Sequence, residues 1–232
     1  MIRYSIVTFP GSNCDHDSYY IAQKRGNQVN LVWHKDTDLL NPDIVIIPGG
    51  FSYGDYLRCG IIARFSPIIS EVVKFARKGG MVLGICNGFQ ILTECGLLPG
   101  ALMMNRDLKF ICQHQYIKVC NNSTKFTKHL QKNEVIDIPI AHKEGNFYID
   151  QDGLQELIDH EQIVFKYCDK NGFINEKSNP NGSLENIAGI INRTGNVLGM
   201  MPHPERNADD FSGTEDGIKI FASIEQSYLA SN

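Results

Sequence analysis

Short, wholly apolar runs punctuated by Pro and Gly recur along this chain, separated by stretches whose apolar residues fall at helical spacing. Ile2 to Phe9 is a β-rich run that stops at Pro10-Gly11-Ser12-Asn13, and Ile44 to Ile47 is an apolar run that stops at Pro48-Gly49-Gly50. Both read as buried strands running into loops. Between them, Asp17 to Lys24 supplies a crossover helix before a strand over Val29 to Trp33, the βαβ rhythm of a parallel sheet. Ser66-Pro67 opens a further helix, with Ser66 as N-cap and Ile68, Ile69, Val72, Val73 and Ala76 as its apolar face, before Gly79-Gly80 stops it. Met81 to Ile85 is the next strand. Asn87 to Cys95 continues as a short helix closed by Gly96 and Pro99, which puts Cys86 at a strand-to-helix junction.

The second half carries strand-like runs at Val135 to Ile140, Ile163 to Cys168, Ile187 to Asn192 and Val197 to Met201. A last helix is expected from about Thr214 to Leu229, burying Ile218, Phe221, Ala222 and Leu229. The turn-rich Asn171 to Asn186 stretch reads as a surface loop, because a strand lies close on either side. The expected fold is α/β: a doubly wound, mostly parallel sheet flanked by helices, in one domain covering 1–232.

Composition narrows the class. At 42% hydrophobic and 21% charged residues the chain is an ordinary globular one. A net charge of -4 gives no basic footprint for nucleic acid or an anionic membrane. The N-terminal Met1-Ile2-Arg3-Tyr4-Ser5 lacks a secretory pattern and no segment reaches the ~20 apolar residues of a membrane span, so a cytoplasmic protein is expected. The seven cysteines, at 14, 59, 86, 95, 112, 120 and 168, form no C-x-x-C pair, and the reading is reduced thiols, mostly buried, with one in need of a chemical explanation. No metal site is expected: Cys112 and His114 lack further ligands at zinc spacing, and packing is their expected role.

Gly84-Ile85-Cys86-Asn87-Gly88 has the G-x-nucleophile-x-G form of an elbow, in which glycines remove side chains that would collide and a helix N-terminus stabilises a thiolate and a substrate oxyanion. A core cysteine in a Gly-flanked turn would look the same. Pro202-His203-Pro204-Glu205 leaves the Val197 to Met201 strand, and in an extended segment His203 and Glu205 project to one side and can meet, a base oriented by a carboxylate. Pro48-Gly49-Gly50-Phe51 ends another strand, where its N–H groups could complete an oxyanion hole or simply form a turn.

Together these residues, with Gln90, resemble the class I glutamine amidotransferases, the triad-type glutaminases. Longer strings, Pro10 to Asp15, Gly49 to Gly60, Cys86 to Leu92, Asp107 to Phe110 and Met200 to Arg206, are similar to a subfamily, the glutaminase subunits that serve phosphoribosylformylglycinamidine synthase. One position departs from the subfamily pattern Ala-His-Gly-Glu-Gly: here it reads Ala141-His142-Lys143-Glu144-Gly145.

The resemblance implies that Cys86 attacks the glutamine amide, that His203 and Glu205 form the base system, and that N–H groups of Gly50 and Asn87 hold the oxyanion. It also implies that Gln90 touches substrate, although a helix-surface amide is the other reading of that residue. The chain has neither a G-x-x-x-x-G-K-[ST] loop nor a dinucleotide fingerprint, so no cofactor is expected in it. ATP, Mg and formylglycinamide ribonucleotide are expected on a large synthetase subunit, joined by a small bridging subunit. The competing readings are a free-standing cysteine hydrolase on the same fold and an inert scaffold.

Overall fold

The computed structural model describes residues 1–55, 59–208 and 215–230, so Tyr56, Leu57 and Arg58 of the Gly49 to Gly60 string, and Thr214 at the expected start of the last helix, lie outside the described residues. The chain forms two compact units, Met1–Leu98 with Asn196–Gly199 and Pro99–Gly195 with Met200–Asn232.

The first unit runs β1 (Arg3–Thr8), α1 (Asp15–Lys24), β2 (Gln28–Trp33), β3 (Ile44–Ile47), α2 (Cys59–Ala63), α3 (Pro67–Arg77), β4 (Met81–Ile85) and α4 (Asn87–Glu94). Its strands lie in the order β2-β1-β3-β4, followed by the late strand Val197–Met200. β1 is parallel to β2 and β3, and β3 is parallel to β4, as the alternating pattern predicts. All residues of β3 and β4 are buried, which is why these runs read as uninterrupted apolar sequence. Pairing of Ile47 with Gly84 brings the carboxyl ends of β3 and β4 level, so the loops after them leave the sheet side by side. The chain reverses its direction of travel between β1 and β3, and the carboxyl ends at such a switch point form a ligand crevice. α3 buries Ile68, Ile69, Val72 and Ala76. Each fully buried large aliphatic contributes roughly 1.5–3 kcal/mol. Ser66 occupies the N-cap position of α3, but its hydroxyl makes no cap bond and turns instead to His34 and Tyr53.

The second unit carries β5 (Ala101–Met103), β6 (Ile111–Val119), β7 (Val135–His142), β8 (Asn146–Tyr148), α5 (Gln151–Asp159), β9 (Ile163–Tyr167), β10 (Ile187–Ile191) and α6 (Ile218–Leu229). Here the strand order β10-β9-β6-β7 is antiparallel throughout, with β5 and β8 as a separate antiparallel pair. The mostly parallel sheet of the sequence reading is therefore the property of the first unit. α5 begins where Asp150 accepts a hydrogen bond from Gly153 N at 2.8 Å, an ordinary side-chain cap.

Three local expectations change. α6 buries Ile220, Phe221 and Ile224, whereas Leu229 is 64% exposed: the helix begins later than its apolar pattern suggested and ends on the surface. The Asn171 to Asn186 stretch is a surface loop over Phe173 to Lys177 but buried at Ser178, Asn181, Ser183 and Asn186, with Asn181 Nδ2 and Ser183 Oγ donating to Gly145 O at 2.7 and 3.1 Å. Its polar residues satisfy buried backbone, a role that composition cannot distinguish from a solvated loop. Cys112 and His114 do not pack: both are exposed on β6, with His114 Nδ1 3.1 Å from Asp137. Among the described residues no helix is long and apolar enough to cross a membrane.

Candidate active site

In the first unit, β4 ends at Ile85 and α4 starts at Asn87, leaving Cys86 as the single joint between them. Its backbone, at φ 50 and ψ -104, lies outside the regions an L-residue ordinarily occupies. Such a conformation costs on the order of 1–3 kcal/mol and persists only where the surroundings enforce it. They do so here through close packing on both sides of the joint. A Cβ on Gly88 would lie 1.9 Å from Ile47 O, so the elbow can press onto the end of β3 only because that position is glycine. No other described cysteine has a positive φ, and burial pushes the Cys95 and Cys120 thiols up and Cys168 up to about 11, away from the thiolate form.

The loop after β3 meets the elbow through one side chain. Asn87 Oδ1 accepts from Ser52 N at 2.7 Å, and Asn87 Nδ2 donates to Gln90 Oε1 at 2.8 Å. Gln90 is 6% exposed, so it is no helix-surface amide. Gly50, at φ 86, stands against Asn13 and Cys14 from the loop after β1; a Cβ there would fall 1.9 Å from Asn13 Oδ1. The three strand-end loops of the first unit thus converge on Gly50, Asn87 and Gln90. Motif spacing shows the backbone donors but not the Ser52–Asn87–Gln90 chain, because an asparagine at a helix start carries no sign of which loop it will reach.

In the second unit, His203 Nδ1 lies 2.6 Å from Glu205 Oε1, with both residues almost fully buried. They meet, as the i, i+2 spacing predicts, but the backbone between them is different from the expected extended one: Pro204–Arg206 is a 3-10 turn with Pro204 in its first position. His203 N donates to Pro139 O at 2.9 Å, tying the turn to β7. A carboxylate at Nδ1 selects the tautomer with the proton on that nitrogen and leaves Nε2 as the basic lone pair. His203 Nε2 is buried and has no hydrogen-bond partner among the described residues. It is the nitrogen from which a general base would act.

A buried residue that motif reading named without giving it a role is His142. Asn105 holds it, donating to His142 O at 2.9 Å and presenting Oδ1 to His142 Nδ1 at 3.1 Å and to Gly145 N at 3.0 Å. Lys143 is exposed and outside the positive-φ backbone, so its substitution for the usual glycine is accommodated. Gly145 is the position that needs glycine, since a Cβ there would lie 2.5 Å from the His142 ring.

Burial, and secondarily the charge of nearby His203, push the His142 imidazole down to about 3. An unfolded imidazole takes its proton near 6.5, so unfolding binds a proton between those values and stability falls as pH drops below about 6.5. This one group should remove about 2 kcal/mol between pH 7 and 5. Urea midpoints at the two pH values should differ less in a His142→Gln variant than in the parent; equal differences would refute the assignment.

The CobB/CobQ-like glutamine amidotransferase domain model matches residues 1–216. The phosphoribosylformylglycinamidine synthase subunit PurQ of Moorella thermoacetica is 55% identical over 224 residues, covering 96% of this chain and 95% of that protein. The PurQ subunit of Trichormus variabilis is 53% identical over 230 residues, 99% of both chains. Among solved structures, that of PurLQS from Thermotoga maritima has a chain 44% identical that superposes with a TM-score of 0.86, over 99% of this chain and 100% of that one. By these matches the chain belongs to the class I glutamine amidotransferases, in the family of the PurQ subunits.

Proposed function

We propose that this chain is the glutaminase subunit of phosphoribosylformylglycinamidine synthase, working through Cys86, His203 and Glu205 as one catalytic domain over 1–232. The observation that carries the reading is the enforced backbone of Cys86 at the start of α4, because a buried structural cysteine needs no such strain. The Cys86 thiolate attacks the side-chain carbonyl carbon of glutamine, and N–H groups of Gly50 and Asn87 receive the charge that forms on the oxygen. His203 gives a proton to the departing nitrogen, which leaves as ammonia, and the γ-glutamyl thioester remains on sulfur. Water then loses a proton to His203 Nε2 and attacks the thioester, releasing glutamate and the thiol. Glu205 keeps the ring in the required tautomer and steadies the imidazolium. Gln90, held by Asn87, contacts the bound glutamine.

The chain's full-length relatives are subunits of a synthase, and its neighbour in structure comes from PurLQS. The partners are accordingly a large synthetase subunit, PurL, which holds ATP, Mg and formylglycinamide ribonucleotide, and a small bridging subunit, PurS. Ammonia passes to the synthetase to convert formylglycinamide ribonucleotide to formylglycinamidine ribonucleotide in the cytoplasm. A free-standing cysteine hydrolase has no observation in its favour.

Iodoacetamide tests the nucleophile directly. At neutral pH it should alkylate Cys86 before Cys14, Cys95, Cys120 and Cys168, and glutamine should slow Cys86 alone while leaving the exposed Cys112 unaffected. Labelling of Cys86 at the pace of Cys95, or without protection by glutamine, would refute the assignment.

A further inference from the structure

The loop from Gly50 to Gly54 carries an oxyanion donor at its first residue, and most of its backbone is left-handed: φ is 86 at Gly50, 44 at Phe51, 57 at Tyr53 and 71 at Gly54. L-residues do not rest in that region unless held, so something must pin this loop. Gly50 has no side chain with which to do so, Phe51 is 44% exposed, and Ser52 N is held on one side by Asn87 Oδ1 at 2.7 Å.

Tyr53 supplies the other pin. Its N–H donates to Pro10 O at 2.6 Å, and its ring lies edge-on to His34 at 5.6 Å and 6.2 Å from Phe9. Its hydroxyl is 2.8 Å from His34 Nδ1 and 2.9 Å from Ser66 Oγ, which are themselves 3.1 Å apart. His34 follows β2, and its N–H donates to Thr8 O on β1 at 2.9 Å; Ser66 precedes α3. Both are nearly buried, at 6% and 5% exposure. One hydroxyl therefore fastens the loop to two elements of the scaffold, and Ser66 gives up its cap bond to take part.

Oxyanion donors act only when already aimed at the position the oxygen will occupy, and a few tenths of an ångström decide their effect. The geometry points to Tyr53 as a positioning residue for glutamine hydrolysis: its hydroxyl, held by His34 and Ser66, sets the aim of the Gly50 N–H. The inference rests on the proposed role of Gly50 in the glutaminase reaction.

The test uses the chain assembled with its synthetase and bridging subunits. Tyr53→Phe removes one oxygen and keeps the ring packing; it should lower kcat for glutamine about tenfold or more, with KM changed less than twofold and the ammonia-dependent rate unchanged. Iodoacetamide should alkylate Cys86 of this variant at the parental rate, because that reaction develops no oxyanion. Ser66→Ala should cause a smaller loss, and the double variant should be no slower than Tyr53→Phe, since Ser66 acts through the hydroxyl. An unchanged kcat overturns the proposal. So does a parallel fall in Cys86 alkylation, which would place the damage in the elbow, or a losses-add result in the double variant. Absence of glutaminase activity in the parent complex would instead overturn the proposed function itself.

Discussion

Cys86→Ala should abolish glutamine-dependent amidine synthesis by the assembled synthase, while ammonium salt at a pH that supplies free ammonia should restore it to the parental ammonia-dependent rate. The elbow is compatible with alanine in size, so the variant should fold; the substitution removes only the sulfur that carries the acyl group. The fall should reach several orders of magnitude, since without a nucleophile only binding and the oxyanion donors remain. Recovery with ammonia is the informative half of the measurement. In the proposed division of labour ammonia use belongs to the synthetase subunit, and the sequence of this chain carries no G-x-x-x-x-G-K-[ST] motif. A Cys86→Ala complex that assembles normally and still fails with ammonia would refute the division of labour.

The second large effect is expected at the base. His203→Ala should lower glutamine turnover on the order of 10⁴-fold or more, with partial thioester formation surviving because Cys86 and the oxyanion donors remain. Glu205→Gln should be milder by one to two orders of magnitude. At 2.6 Å from Nδ1 the carboxylate both fixes the tautomer and offsets the imidazolium charge. An amide keeps the shape, but its NH₂ can meet Nδ1 only by forcing the proton to the other nitrogen. Rates measured for both variants with glutamine and with ammonia check this. Equal losses in the two variants, or a loss with ammonia as donor, would refute the role given to the pair.

Much of the site was legible because its chemistry depends on local spacing. A strand that runs into Gly-x-Cys-x-Gly can hardly end otherwise than at a sharp joint, and Cys86 stands at that joint. His203 and Glu205 are two residues apart, close enough to meet in an extended segment or, as found, across a 3-10 turn. β3 and β4 read correctly to the residue because strands buried on both faces have no polar positions to blur them.

Among the elements that went unread, β6 is the one whose identity depends most on distant partners. β6, with Cys112, Gln113, His114 and Gln115 in sequence, has too little apolar signal to be seen as a strand, yet it pairs with β7 from Ile111 to Lys118 and with β9 at its end. Asn181 and Ser183 look like loop polarity and prove to be partners of the Gly145 carbonyl.

The sequence by itself determined the strand and helix alternation of the first unit, the place of Cys86 at a strand-to-helix joint and the meeting of His203 with Glu205, since each is written within a few consecutive residues. Only the tertiary structure decided that the second unit is antiparallel, that Ser66 leaves its helix cap for Tyr53 and His34, and that Asn87 reaches Ser52. A side chain's hydrogen-bond partner across 13 or 35 residues depends on where the sheet delivers each loop, and that is settled by long-range strand pairing rather than by any pattern local to the chain.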